Sequence, residues 1–246
     1  TDLTSLSGEQ LRKIRPDLQM IFQDPISSLN PRRAVRDIIG EGLRVWGDRS
    51  TWSEDRLDEL MEAVGIDPRF GDRKPHQFSG GQCQRISIAR ALVLDPKVII
   101  CDEPVSALDV SVQAQILNML EDMKARYGLT LVFISHDLSV VKNISDRVAV
   151  MYLGKLCEIG DGDVLYDKPA HPYTRLLLAA VPDPSNKHAD IDETLTGELP
   201  SPIDPPSGCR FRTRCPRAQD ICATEEPQMQ KAGEGDHWVA CHFPVL

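Results

Sequence analysis

The chain contains no run of roughly 18 apolar residues, so none of its segments reads as a membrane-spanning helix. Its longest apolar stretches, such as Val98–Cys101 and Leu131–Ile134, have instead the length of buried strands. A basic excess is also missing: 28 Lys and Arg stand against 37 Asp and Glu, for a formal net charge of −9. Such a balance offers little counterion release to a polyanion and tilts against nucleic-acid binding. No signal peptide opens the chain. There is no internal repeat, and the paired Cys-x-x-Cys knuckles of a zinc ribbon are absent. Nor does methionine come first: the chain opens on Thr1, and the expectation is a fragment of a longer protein.

What is present is ordinary for a globular protein, with 41% hydrophobic and 26% charged residues, enough to bury a sizeable core. Seven cysteines are an odd number for a disulfide framework. Cys83, Cys101 and Cys157 are scattered through helix-like and strand-like segments, whereas Cys209, Cys215, Cys222 and Cys241 crowd towards the C-terminus. This pattern favours a reducing compartment and one specialised cysteine site.

Three apolar runs, Val98–Cys101, Leu131–Ile134 and Val148–Leu153, read as central strands covered on both faces. Ser79 with Gln82 three residues on forms a capping box, and Ile86, Ala89, Leu92 and Val93 follow on one helical face. Val112, Ile116, Leu117, Leu120 and Met123 mark a second amphipathic helix, with Gly128 as its C-cap. Strand–helix–strand alternation predicts a mostly parallel α/β sheet. Residues 32–75 show helical patterning (Leu57, Leu60, Met61, Val64) and no clear strand, which predicts an inserted helical subdomain. Beyond Tyr166, Pro182, Pro184, Pro200, Pro202, Pro205 and Pro206 predict a linker or an irregular extension.

Chemistry concentrates where the first of those strands ends in Asp102-Glu103. In P-loop ATPases an aspartate at a strand end holds Mg²⁺, and a neighbouring carboxylate can orient and polarise the attacking water. Phe78-Ser79-Gly80-Gly81-Gln82 exposes backbone N–H groups and a hydroxyl at a helix start, as an anion site or simply as a cap. Ser106-Ala107-Leu108-Asp109 follows the acidic pair, and Ser135-His136-Asp137 ends the next strand, where His136 would stand at the same sheet edge.

In this order and spacing the residues resemble the ABC ATPase family, over residues 20–137. Gln23, in Met20-Ile21-Phe22-Gln23-Asp24-Pro25, resembles the Q-loop glutamine; Phe78 to Gln82 the signature motif; Val98 to Asp102 Walker B, with Glu103 at the catalytic position; Ser106 to Asp109 the D-loop; and His136 the switch histidine. The resemblance implies a P-loop NTPase core in which two subunits sandwich ATP. Ser79, Gly80, Gly81 and Gln82 would contact nucleotide held by the partner, with Asp109 of the D-loop beside it. Asp102 and Gln23 would tend Mg²⁺, Glu103 would polarise water and His136 would contact the γ-phosphate. Cys83 departs from the basic or other polar residue that many members carry, and reads as a tolerated neighbour of the phosphate contacts.

Asp24–Arg32, Pro104–Gln115 and His171-Pro172-Tyr173-Thr174-Arg175-Leu176-Leu177 resemble the dipeptide, oligopeptide and nickel importers, and more closely their second (F-type) ATPase. That implies a non-identical ATPase partner, two transmembrane permease subunits, an extracytoplasmic substrate-binding protein and a place on the cytoplasmic face of the membrane. Peptide, nickel chelate and glutathione are not separated by these motifs. Related importer ATPases carry an iron–sulfur cluster at such a C-terminal motif. Cys209, Cys215, Cys222 and Cys241 are therefore expected to hold [4Fe-4S], with zinc or plain thiols as alternatives and His237 and His242 as outside candidates.

No Gly-x-x-x-x-Gly-Lys-Ser/Thr phosphate loop occurs in the 246 residues, and Gly154-Lys155-Leu156 is not a hidden copy. The expected layout is residues 1–23 as the remnant of the N-terminal core, 24–88 as the helical signature subdomain, 89–160 as the α/β core, and 161–246 as the importer extension. Set beside the ATPase reading are a degenerate partner subunit without hydrolysis of its own and a non-transport ABC ATPase of DNA repair or translation; the extension argues against the latter.

Overall fold

A computed structural model describes residues 2–47, 53–181, 197–233 and 235–245. The chain divides into two compact units, Thr1–His136 and Asp137–Leu246. Pro182 and Pro184 of the expected linker lie outside the described residues.

In the first unit, α1 (Gly8–Ile14) starts on a capping box between Ser7 and Gln10. β1 (Leu18–Ile21) is followed by α2 (Val35–Ile39), α3 (Glu41–Trp46) and α4 (Glu54–Ala63). Among the described residues no strand lies between β1 and β2, so this stretch is helical as its periodicity predicts. α4 buries Leu57, Leu60 and Met61, the residues one turn apart on its apolar face. α5 (Gly80–Leu92) leads to β2 (Val98–Asp102), α6 (Val110–Tyr127) and β3 (Thr130–Ile134). Gly128 ends α6 at φ +63°, the left-handed cap that its position predicts.

The sheet runs β1-β2-β3 with both pairs parallel. Ile21 lies opposite Cys101, and Cys101 opposite Phe133, so the period-two side-chain alternation turns one continuous row into the core. Ile21, Ile99 and Cys101 are buried there with Ile86, Ile88, Leu92, Ile116 and Leu120. The expectation of two covered faces is corrected for β3: its other row carries Val132 and Ile134, which are 46% and 47% exposed. Its residues accordingly alternate between exposed and half-buried.

The second unit begins with α7 (Leu138–Ile144), whose first amides are capped by Asp137. β4 (Arg147–Tyr152) and β5 (Lys155–Asp161) form an antiparallel hairpin through Leu153 and Gly154, both at positive φ as a tight hairpin turn requires. The run at Val148–Leu153 is thus not a doubly covered central strand. β4 is the edge of a sheet ordered β4-β5-β7-β6 and alternates between exposed and buried residues. α8 (Gly162–Asp167), α9 (Pro172–Ala179) and α10 (Ile221–Thr224) follow, with β6 (Gln230–Lys231) and β7 (Trp238–Val239) completing the sheet.

The extension is accordingly less irregular than its prolines predict. His171 caps α9 by accepting a hydrogen bond from Tyr173 N–H at 3.0 Å, and Pro172 sits at the helix start, where it has no N–H to lose. Glu158, fully buried on β5, accepts from Ala170 N–H (2.7 Å) and His171 N–H (2.9 Å) and bonds His237 Nε2 at 2.6 Å. One buried carboxylate therefore ties the sheet, the entry to α9 and the C-terminal hairpin together, and its partners meet its desolvation cost.

Candidate functional site

Gln23, Glu103 and His136 come from the ends of three parallel strands, the edge at which open α/β sheets place their ligands. Gln23 lies just past β1, Glu103 just past β2 and His136 just past β3. Gln23 Nε2 donates to Glu103 Oε2 at 3.0 Å, and His136 Nδ1 stands 3.2 Å from Glu103 Oε1. The carboxylate thus meets a polar partner at each oxygen, an amide at one and an imidazole at the other.

Glu103 has φ +43°, left-handed backbone that is strained for a residue with a Cβ. Its neighbours hold it there. Glu103 N–H donates to Ile134 O at 3.0 Å, continuing the sheet one residue beyond β2, and the Ser106 hydroxyl donates to Glu103 O at 3.0 Å. Asp102 is the last residue of β2, half-buried, and its carboxylate accepts no hydrogen bond among the described residues.

The signature turn is a separate construction. Ser79 Oγ accepts from Gln82 N–H at 3.3 Å and Ser79 N–H donates to Gln82 Oε1 at 2.9 Å, the reciprocal box that the sequence predicts. A Cβ on Gly81 would come within 2.7 Å of Val112 Cγ1 on α6, so α6 fits against this turn only because residue 81 has no side chain. Asp109 is the N-cap position of α6 but makes no side-chain cap bond. Among the described residues no hydrogen bond joins Ser79 or Gln82 to Gln23, Glu103 or His136. Cys83 is buried, its thiol 3.5 Å from Pro75 O, and burial pushes it above the usual thiol range.

In the second unit Cys209, Cys215, Cys222 and Cys241 line one small cavity with His171, Arg212, Arg217 and His242. Among the described residues no three His, Cys, Asp or Glu side chains are grouped so as to hold a metal ion; the four cysteines share only the lining of this cavity. Cys209 N–H donates to Cys222 O at 2.8 Å, which fixes two of the four backbones against each other. His237 is not at the cavity: it is committed to Glu158. Burial pushes Cys241 up to about 11, with the charges of Cys209, Cys215 and Cys222 adding to it against the amide of Phe243.

A fifth cysteine escaped the sequence reading. Cys157 on β5 packs in one cluster with Tyr152, Leu176, Phe211, Cys209 and Cys215. Burial pushes its thiol up to about 12, and Cys209 adds to that. Ala240 N–H donates to Cys157 O at 2.8 Å, and it is this pairing that brings residue 157 beside Cys241.

Two family models match the chain: that of the ABC transporter over residues 1–106, and that of the oligopeptide/dipeptide transporter C-terminal region over residues 157–222. The oligopeptide transport ATP-binding protein OppF of Salmonella typhimurium is 53% identical over 244 residues, covering 98% of this chain and 72% of the relative. The chain belongs to the ABC transporter ATPase family. As a member it is an ABC-type ATPase. The oligopeptide transport ATP-binding protein AppF of Bacillus subtilis is 52% identical, covering 98% of this chain and 74% of the relative. Among solved structures, cbiO1 from Clostridium perfringens, part of an ABC transporter complex, superposes with a TM-score of 0.59 at 29% identity, covering 65% of this chain and 63% of its own. An ATP-binding cassette dimer in a post-hydrolysis state, bound to ADP and Pi, gives a TM-score of 0.55 at 30% identity, covering 64% and 68%.

Proposed function

We propose that this chain is an ATP-hydrolysing subunit that powers import of di- or oligopeptides across the cytoplasmic membrane. The observation that carries the reading is the convergence of Gln23 and His136 on Glu103 at the sheet edge. The C-terminal region, whose family model is that of oligopeptide and dipeptide transporters, supports the substrate class. Asp102, with a carboxylate free of hydrogen bonds among the described residues, and Gln23 would hold Mg²⁺, which supplies charge neutralisation to the transferring phosphoryl group. Glu103 would accept the proton of the attacking water, and His136 would orient it and contact the γ-phosphate. Ser79 to Gln82, with Asp109, would face nucleotide carried by a second, non-identical ATPase subunit. Two permease subunits and an extracytoplasmic substrate-binding protein would complete the assembly on the cytoplasmic face, a peripheral position; no helix among the described residues is long and apolar enough to cross a membrane.

The test is transport by the assembled system. The subunit, co-purified with its ATPase partner and permeases in proteoliposomes, should hydrolyse ATP in response to peptide-loaded binding protein. Stimulation by a nickel chelate or glutathione, and not by peptide, would overturn the substrate class.

We infer further that Cys209, Cys215, Cys222 and Cys241 hold a [4Fe-4S] cluster. Support comes from their common cavity, which no carboxylate lines. Four cysteines are a donor set that can ligate an iron–sulfur cluster, and these four line one cavity. Anaerobically purified protein should contain iron and acid-labile sulfide in near-equal amounts, lost in Cys215→Ser. Stoichiometric zinc without sulfide would sink the cluster reading.

A further inference from the structure

The four-cysteine cavity has a charge pattern that ligation alone does not account for. Arg212 and Arg217 line it together with the four thiols, and no Asp or Glu does. Neither guanidinium forms an ion pair with a carboxylate among the described residues. Arg212 is anchored: its Nε donates to Ser207 O at 3.0 Å, and the Ser207 hydroxyl in turn donates to Ala223 O at 2.9 Å, next to Cys222. Arg217 is exposed and two residues beyond Cys215.

Neutral thiols need none of this. A cubane held by four thiolates carries a double negative charge when oxidised and a triple one when reduced, so neighbouring positive charge favours the reduced form. We propose that Arg212 and Arg217 are positioning residues of this site that compensate its negative charge and raise the reduction potential of the cluster. The proposal rests on the cluster reading given above. It assigns the arginines no ligand role, and it ranks Arg212, the more buried and anchored of the two, as the stronger, because solvent screens Arg217.

The full chain, reconstituted anaerobically with iron and sulfide, is titrated with dithionite while the reduced cluster is followed by electron paramagnetic resonance. Arg217→Gln should lower the reduced-to-oxidised ratio at fixed potential about threefold, and Arg212→Gln about tenfold, or about 59 mV for a one-electron couple. Lysine at either position should restore most of the shift. Arg147→Gln is the control, since Arg147 pairs with Asp236 at 2.7 Å and lines no part of the cavity; it should leave the midpoint in place. Midpoints in both glutamine variants equal to that of the parent, at equal cluster content, would overturn the proposal and leave the cluster standing. A parent chain that takes up no cluster refutes the cluster itself, a distinct result, and the proposal falls with it. Because Arg217 is exposed, its variant keeps the comparison valid should Arg212→Gln lose the Ser207 anchor and fail to fold.

Discussion

Gln23 and Glu103 sit 80 positions apart in sequence, yet the amide of one donates to the carboxylate of the other at 3.0 Å. The contact exists because β1 and β2 pair in parallel, with Ile21 opposite Cys101, and each strand releases its chain two residues later at the same edge. On the proposed function, a glutamine bonded to Glu103 is placed both to orient it and to exchange that bond for a ligand.

Replacing Glu103 by Gln in the assembled transporter is expected to lower ATP turnover by about two to four orders of magnitude, the usual worth of a general base, with nucleotide binding retained. Gln23→Ala should lose less, since Asp102 remains. Phosphate release and equilibrium nucleotide binding, measured on the same preparations, separate the two effects.

Gly81→Ala forces a methyl to within 2.7 Å of Val112 Cγ1. A stability loss of about 1–3 kcal/mol is expected, the usual cost of overpacking. Val112→Ala should recover much of it in the double variant. Urea denaturation of the four proteins of this cycle measures the coupling, and strict additivity would show that the contact is not the cause.

Acid should destabilise the cluster-free chain through His171. Burial lowers this histidine from 6.5 to about 4, opposed by Glu158. Between those values the unfolded chain binds a proton that the folded chain refuses. Stability is therefore full above pH 6.5 and falls as the pH drops towards about 4, by about 3 kcal/mol in all. His171→Asn, which keeps a side-chain cap for α9, should flatten this part of the profile in a pH series of melting curves.

Local features were legible in the sequence. The Ser79–Gln82 box, the Gly128 cap and the buried face of α4 each depend on residues within one or two turns, and each formed as expected. Of the strand-end residues, Glu103 and His136 were readable as chemistry because they follow apolar runs. What brings Gln23 to them is a pairing register that no local pattern contains. The same holds for Cys157: residue 157 reads as an ordinary strand cysteine until Ala240 pairs with it. Val148–Leu153 misled because its residues are apolar on both faces, which conceals that one face meets solvent.

The backbone at Glu103 has a final consequence, one of economy between folding and turnover. A glycine adopts φ +43° without strain, whereas glutamate is held there at a cost of about 1 kcal/mol or more. Glu103→Gly should therefore give a protein that melts at a higher temperature and hydrolyses nothing. On the proposed function, a sturdier fold at this position would come at the expense of the residue that polarises water.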